Sequence, residues 1–154
     1  MDEGSSVNGL PLPGSLIGLM DDGRWRNPGD DVMRELMPWF EDPLDFLTGI
    51  DWMRRENAGL LRLTADPRSA YLFRQARGST AVGPVKLPWL DVEQAVLIAV
   101  NRRPGDDVAM ALDYRTGSDD PRVVASDFWT DPRQCSWRIV VPAFSRLLDV
   151  LNLG

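Results

Sequence analysis

The stretch EQAVLIAVNRRPGDDVAMALDYRTGSDDPRVVASDF, residues 93–128, decides the fold. Its first run, Ala95 to Val100, offers no polar residue to water, so as a strand it must be covered on both faces. Asn101 to Asp107 is rich in Gly, Pro, Asn and Asp, whose backbone preferences make a hairpin connection. The next run sets Val108, Met110, Leu112 and Tyr114 on one face and Ala109, Ala111, Asp113 and Arg115 on the other. The second of these faces is small and then charged. After the turn cluster Thr116 to Pro121, Val123 to Phe128 resumes as a third strand, completing an antiparallel meander.

Outward from this centre, Trp137 to Val141 is expected as a fourth strand, and Pro142 opens a closing helix. In that helix Phe144, Leu147, Leu148 and Leu151 fall on one stripe that should lie on the sheet. On the N-terminal side, Met1 to Asn8 reads as a disordered lead with too little apolar surface to offset its ordering entropy. Residues 9–154 then form a single domain. Pro11 and Pro13 precede a short helix closed by Gly23, and Asp30 is placed as the cap of a second helix that Pro38 cuts short. Asp42 and Pro43 read as the start of a third helix carrying Phe46, Leu47, Ile50 and Met53 and ending near Asn57 and Gly59. Leu60 to Thr64 and Ala70 to Gln75 fit two short strands, or a strand and a loop. The expected class is α+β: an antiparallel-rich sheet of about four to six strands, with N-terminal helices and a C-terminal helix packed on it.

The order PWLDVEQAVLIAVN, PGDDVAMALDYR and DPRVVASDFW, then an apolar strand and a short closing helix, resembles the SUKH superfamily. The likeness covers Leu10 to Leu153 loosely and Pro88 to Trp129 closely. That superfamily contains fungal regulators of cell-wall assembly and many bacterial immunity proteins that neutralise polymorphic toxins. The resemblance implies a fold and a protein-binding role, without a chemistry.

Composition bounds the chemistry. With no histidine among 154 residues, His-based triads, Cys–His dyads and the commonest zinc ligand sets are excluded. The lone Cys135 rules out an internal disulfide and favours a reducing, cytoplasmic compartment; Arg133 lies nearby, but a bystander thiol is the simpler reading. The N-terminus lacks the basic and apolar regions of a signal peptide, and no stretch approaches the ~20 apolar residues of a membrane span. A net charge of −6 opposes phosphate-driven nucleic-acid binding and suits a basic partner. No cofactor or metal is expected, and the oligomeric state is open.

Four groups of residues are candidates for function. Gly105, Asp106 and Asp107 with Asp113 look like a carboxylate cluster for metal-dependent phosphoryl transfer, but a polar turn ending in a strand aspartate explains them more simply. Asp113, Tyr114 and Arg115 form a structural motif in which Asp113 pairs with Arg115 or with Arg122 across the strands, an exposed pair at the sheet margin worth little. From Asp106 to Asp131 seven aspartates stand against two arginines, a local charge of −5 that serves either solubility or steering of a basic partner. Within it, Asp119, Asp120, Asp127 and Asp131 lie in connections at the sheet margin. Of the six tryptophans, Trp129 is the expected exposed anchor and Trp89 a second, the others serving the core. Together these features describe a non-enzymatic domain that binds a protein, plausibly a basic toxin domain; an intracellular scaffold and, remotely, a metal-dependent phosphotransferase are the alternatives.

Overall fold

The computed structural model describes residues 6–40, 43–65, 94–103, 108–127 and 136–153. Strands β1 (Ser6–Val7) and β2 (Leu10–Pro11) precede helices α1 (Gly14–Asp21) and α2 (Asp30–Leu36). Strand β3 (Leu44–Phe46) leads into α3 (Ile50–Ala65), followed by β4 (Ala95–Asn101), β5 (Ala109–Asp113), β6 (Arg122–Asp127), β7 (Ser136–Val141) and α4 (Phe144–Leu151). The five-stranded sheet has the order β3-β4-β5-β6-β7, antiparallel throughout. This is the expected α+β class, with the meander as its body and β3 added beside β4.

The two inner strands follow from composition. Ala95 to Val100 is buried at every position, and so is Ala109 to Asp113, which means both faces of the sheet are covered along them. Ile98 and Leu112 have no exposed surface. Burying side chains of this size contributes roughly 1.5 to 3 kcal/mol each. Helix α3 packs on β4, α4 packs on β6 and β7, and α2 meets α4. In α4 the buried residues are Phe144, Leu147 and Leu148, as the stripe requires. Trp25, just beyond α1, lies between Phe46 and Phe144 at centroid distances of 4.7 and 5.8 Å, joining β3 to α4. Its indole N–H is buried and has no hydrogen-bond partner among the described residues. That omission costs about 1 to 3 kcal/mol, less than the roughly 4 to 6 kcal/mol from burying about 150 to 250 Å² of ring.

Several expectations are corrected. Residues Ser6 and Val7 do not belong to a disordered lead, because Val7 pairs with Leu10 across a two-residue turn and is fully buried. Asn8 and Gly9 both take positive φ, 54° and 80°, the geometry that favours Asn-Gly in tight hairpins. Asp30 sits in the first turn of α2 rather than at its cap, which is Gly29 at φ 108°. The helix expected from Pro43 begins only at Ile50, since Leu44 and Phe46 are buried with Asp45 turned outward, a period of two that pairs with β4. Helix α3 then runs through Leu60 to Ala65, so no strand forms there. Gly59 weakens a helix interior by only about 1 kcal/mol, whereas Pro67 disfavours helix at the residue before it. Ala70 to Gln75 falls outside the described residues.

Candidate functional site

Strand register brings the Asp113–Tyr114–Arg115 motif together with Arg122. Asp113 lies opposite Ala95 on one side and Arg122 on the other, at the end of the sheet where β5 passes into a 3-10 turn, Tyr114–Thr116. The Arg115 backbone N–H and Nε donate to Asp113 Oδ1 at 3.1 and 2.8 Å. Arg115 Nη2 and Arg122 Nε donate to Oδ2 at 3.0 and 2.7 Å. The Asp113 side chain is 0% exposed and those of Arg115 and Arg122 are 12% and 17% exposed. Both pairings considered from sequence therefore form at once, but not as the exposed marginal pair expected there. Burial alone would raise the Asp113 pKa; the bonds from Arg115, backbone and side chain, and from Arg122 outweigh it and hold the carboxyl below its ordinary value. Asp113 is thus committed to two guanidiniums, which leaves it unsuited to the metal-binding role imagined with Asp106 and Asp107. Those two aspartates and Gly105 lie outside the described residues, among which no group of three or more His, Cys, Asp or Glu could hold a metal ion.

Tyr114 extends the network to the N-terminal hairpin, its hydroxyl donating to the Pro11 carbonyl at 2.6 Å. Burial pushes its pKa well above the ordinary tyrosine value. Helix α4 is fixed to the same end: the Ser145 N–H and Oγ donate to Asp120 Oδ1 and Oδ2 at 3.0 and 2.6 Å, and the Phe144 N–H donates to the Pro121 carbonyl at 2.8 Å. Asp120, expected to meet a partner, is therefore the acceptor for the first turn of α4, where a negative charge is favoured. Asp119, beside it, is exposed.

Among the described residues the acidic set is divided between the two ends of the sheet. Asp119 and Asp120 leave the sheet next to Arg122, whereas Asp127 sits at the opposite end of β6, in register with Ser136. Asp127 lies five residues along the strand from Arg122, roughly 16 Å at ~3.3 Å per residue. Trp89, Trp129, Asp131 and Cys135 lie outside the described residues. Of the other tryptophans, Trp25 and Trp137 are buried; Trp39 is half-buried with its Nε1 donating to the Ser126 carbonyl at 3.0 Å, and Trp52 is half-buried with its Nε1 donating to Glu56 at 3.3 Å.

One buried polar residue escaped the sequence reading. Asn57 has no exposed surface; its Nδ2 donates to the Met53 and Leu97 carbonyls at 2.8 and 3.1 Å, and its Oδ1 accepts from the Leu97 N–H at 2.7 Å. Strand β3 reaches only as far as the bond from the Leu47 N–H to the Ile98 carbonyl, so the Asn57 carboxamide supplies to Leu97 the partner that a longer β3 would have supplied. The available signal was its position, four residues after Met53 on the buried stripe of α3. Among the described residues no helix is long and apolar enough to cross a membrane. Comparison with protein-family models, with curated proteins and with solved structures returns no match.

Proposed function

We propose that the protein is a non-enzymatic binding module that engages a basic protein partner at the Asp119 end of its sheet, as the resemblance to SUKH immunity proteins implies. The partner envisaged is a toxin domain, neutralised in the cytoplasm by stoichiometric occlusion. The observation that supports this reading is the fixing of an exposed acidic connection at both its ends. Residues 117–121 run from the Asp113–Arg115 cluster to Arg122, and Asp120 is bonded to Ser145 of α4. A carboxylate such as Asp119, presented on a connection held in this way, loses little freedom on binding. Exposed charge of one sign raises association rates with an opposite partner and loses its effect in salt.

The test is recovery of the partner by pull-down, followed by association kinetics at low and high ionic strength for the wild type and Asp119→Asn. The expected result is slower association of the variant at low salt and a flatter salt dependence. Equal rates at low salt would reduce Asp119 to a solubilising group. Turnover of a phosphodiester by the purified protein, with no partner recovered, would overturn the binding reading itself.

A further inference from the structure

Asn8 is the one asparagine in the chain that precedes a glycine, and it stands at the tip of the N-terminal hairpin. An asparagine carboxamide is open to attack by the backbone nitrogen of the next residue, and a glycine there leaves that nitrogen unshielded. Asn8 and Gly9 are both exposed, and a side chain built on Gly9 would meet nothing within 4 Å, so water reaches the site. The other asparagines are guarded. Asn27 precedes Pro28, which has no N–H, and its carboxamide donates to the Leu44 carbonyl and accepts from the Gly29 N–H. Asn57 is buried and bonded to Met53 and Leu97, while Asn101 and Asn152 precede the bulkier Arg102 and Leu153. Asp22 also precedes a glycine, but the Gly23 N–H donates to the Met20 carbonyl at 3.2 Å, and a carboxylate resists attack more than a carboxamide does.

We propose that Asn8-Gly9 is a site of spontaneous conversion to isoaspartate, and that the conversion opens the hairpin irreversibly. The Gly9 nitrogen, its proton lost to water or hydroxide, bonds to Cγ of Asn8; the bond from Cγ to Nδ2 breaks, and ammonia leaves with a proton taken from water, giving a succinimide. Water then adds to one of the two ring carbonyls and opens the ring to aspartate or isoaspartate, so no oxidant, reductant or cofactor is required. The closed turn, with φ 54° at Asn8 and 80° at Gly9, holds the tight hairpin form, and ring closure needs the Asn8 backbone to rotate away from it. Opening of the hairpin is therefore the gate. The hairpin pairs only Ser6 with Pro11 and Val7 with Leu10, too little to persist alone. It is held by Arg54, whose Nε and Nη2 donate to the Ser6 carbonyl at 3.2 and 3.0 Å, by the Tyr114 hydroxyl on the Pro11 carbonyl, and by the burial of Val7. Isoaspartate routes the main chain through the side-chain carbon and lengthens a connection that has no slack. The tight turn cannot reform, and Val7 loses the pairing that seats it in the core.

The test is incubation of the purified chain at mildly alkaline pH, with peptide mass mapping for the amide-to-acid change at each asparagine and fragmentation that tells isoaspartate from aspartate. Conversion at residue 8 about tenfold or more faster than at Asn27, Asn101 or Asn152 is expected, with isoaspartate as the main product. None is expected at that position in Asn8→Gly, which keeps the freedom for positive φ but lacks the carboxamide. Conversion at residue 8 no faster than at the other asparagines overturns the proposal. Tyr114→Phe removes only the hydroxyl bond to Pro11 and should speed the reaction severalfold; an unchanged rate overturns the hairpin's role as gate. The isoaspartate form, separated from the parent by chromatography, is then compared with Asn8→Asp, which adds the same charge without lengthening the backbone. Amide hydrogen exchange at Val7 and Leu10 about tenfold or more faster in the isoaspartate form is expected, and exchange matching that of Asn8→Asp overturns the opening of the hairpin.

Discussion

The two ends of the sheet carry ion pairs of the same length in different surroundings. At one end Arg122 meets Asp113 at 2.7 Å with the carboxylate fully buried; at the other, Arg102 meets Asp45 at 2.8 Å with the two side chains 49% and 39% exposed. Distance therefore does not rank them. The Asp113 pair lies where little water competes, and a second arginine, Arg115, through three further bonds, together with the sheet backbone, holds it in place. The Asp45 pair is screened by solvent, and its loss leaves two charges that water readily hydrates. The ends differ in their connections too. The Asp113 end gathers β4, β5 and β6, the N-terminal hairpin through Tyr114 and α4 through Asp120, whereas Arg102 joins β4 only to β3, adding a bond from its Nη2 to the Leu44 carbonyl at 3.2 Å.

The largest expected effect tests the buried end directly. Asp113→Ala leaves two arginines largely buried without their counter-ion, and is expected to cost on the order of 3 to 5 kcal/mol in a denaturant titration. A loss under about 1 kcal/mol would mean that the cluster is as well hydrated as the Asp45 pair, and the contrast would disappear.

Acid sharpens the same contrast. Because the folded state holds the Asp113 pKa below its unfolded value of about 3.9, the stability it contributes is present in full above that value and is lost as pH falls through the folded pKa. Unfolding free energies measured from neutral pH into acid should converge for wild type and Asp113→Ala below about pH 4, beginning near the unfolded pKa. A constant difference between the two proteins down to about pH 2 would show that the carboxyl does not titrate differently on folding. The smallest effect is at the other end: Asp45→Asn should change stability by about 1 kcal/mol or less, and the change should shrink further in high salt. A loss comparable with that of Asp113→Ala would break the comparison from the opposite side.

Much of the fold was legible because the signals were local and repeated. The unbroken apolar run Ala95 to Val100, the turn residues after it, and the spacing of Phe144, Leu147 and Leu148 each specify one element with little competition. Errors came where two local signals conflicted. Asp42-Pro43 resembles a helix start, yet Leu44 and Phe46 also alternate like a strand, and pairing with Val100 and Ala99 decided the matter. Val7-Asn8-Gly9-Leu10 contains a hairpin turn, but its small, polar surroundings suggested a loose lead until Val7 found the core. The candidate site was legible as a set of partners and not as an environment. Asp113, Arg115 and Arg122 could be matched by strand spacing, whereas their burial depends on helices and loops distant in sequence.

The sequence by itself determined the α+β class, the meander and the absence of histidine chemistry, since these follow from residue type and short-range period. Only the tertiary structure decided that Asp113 is buried, that Asp120 serves α4, that Asp119 and Asp127 lie at opposite ends, and that Asn57 completes the hydrogen bonding of Leu97. The physical reason is that desolvation and hydrogen-bond satisfaction belong to positions in space. A residue's own chemistry fixes what it can offer, and the surrounding fold fixes whether water or protein accepts it.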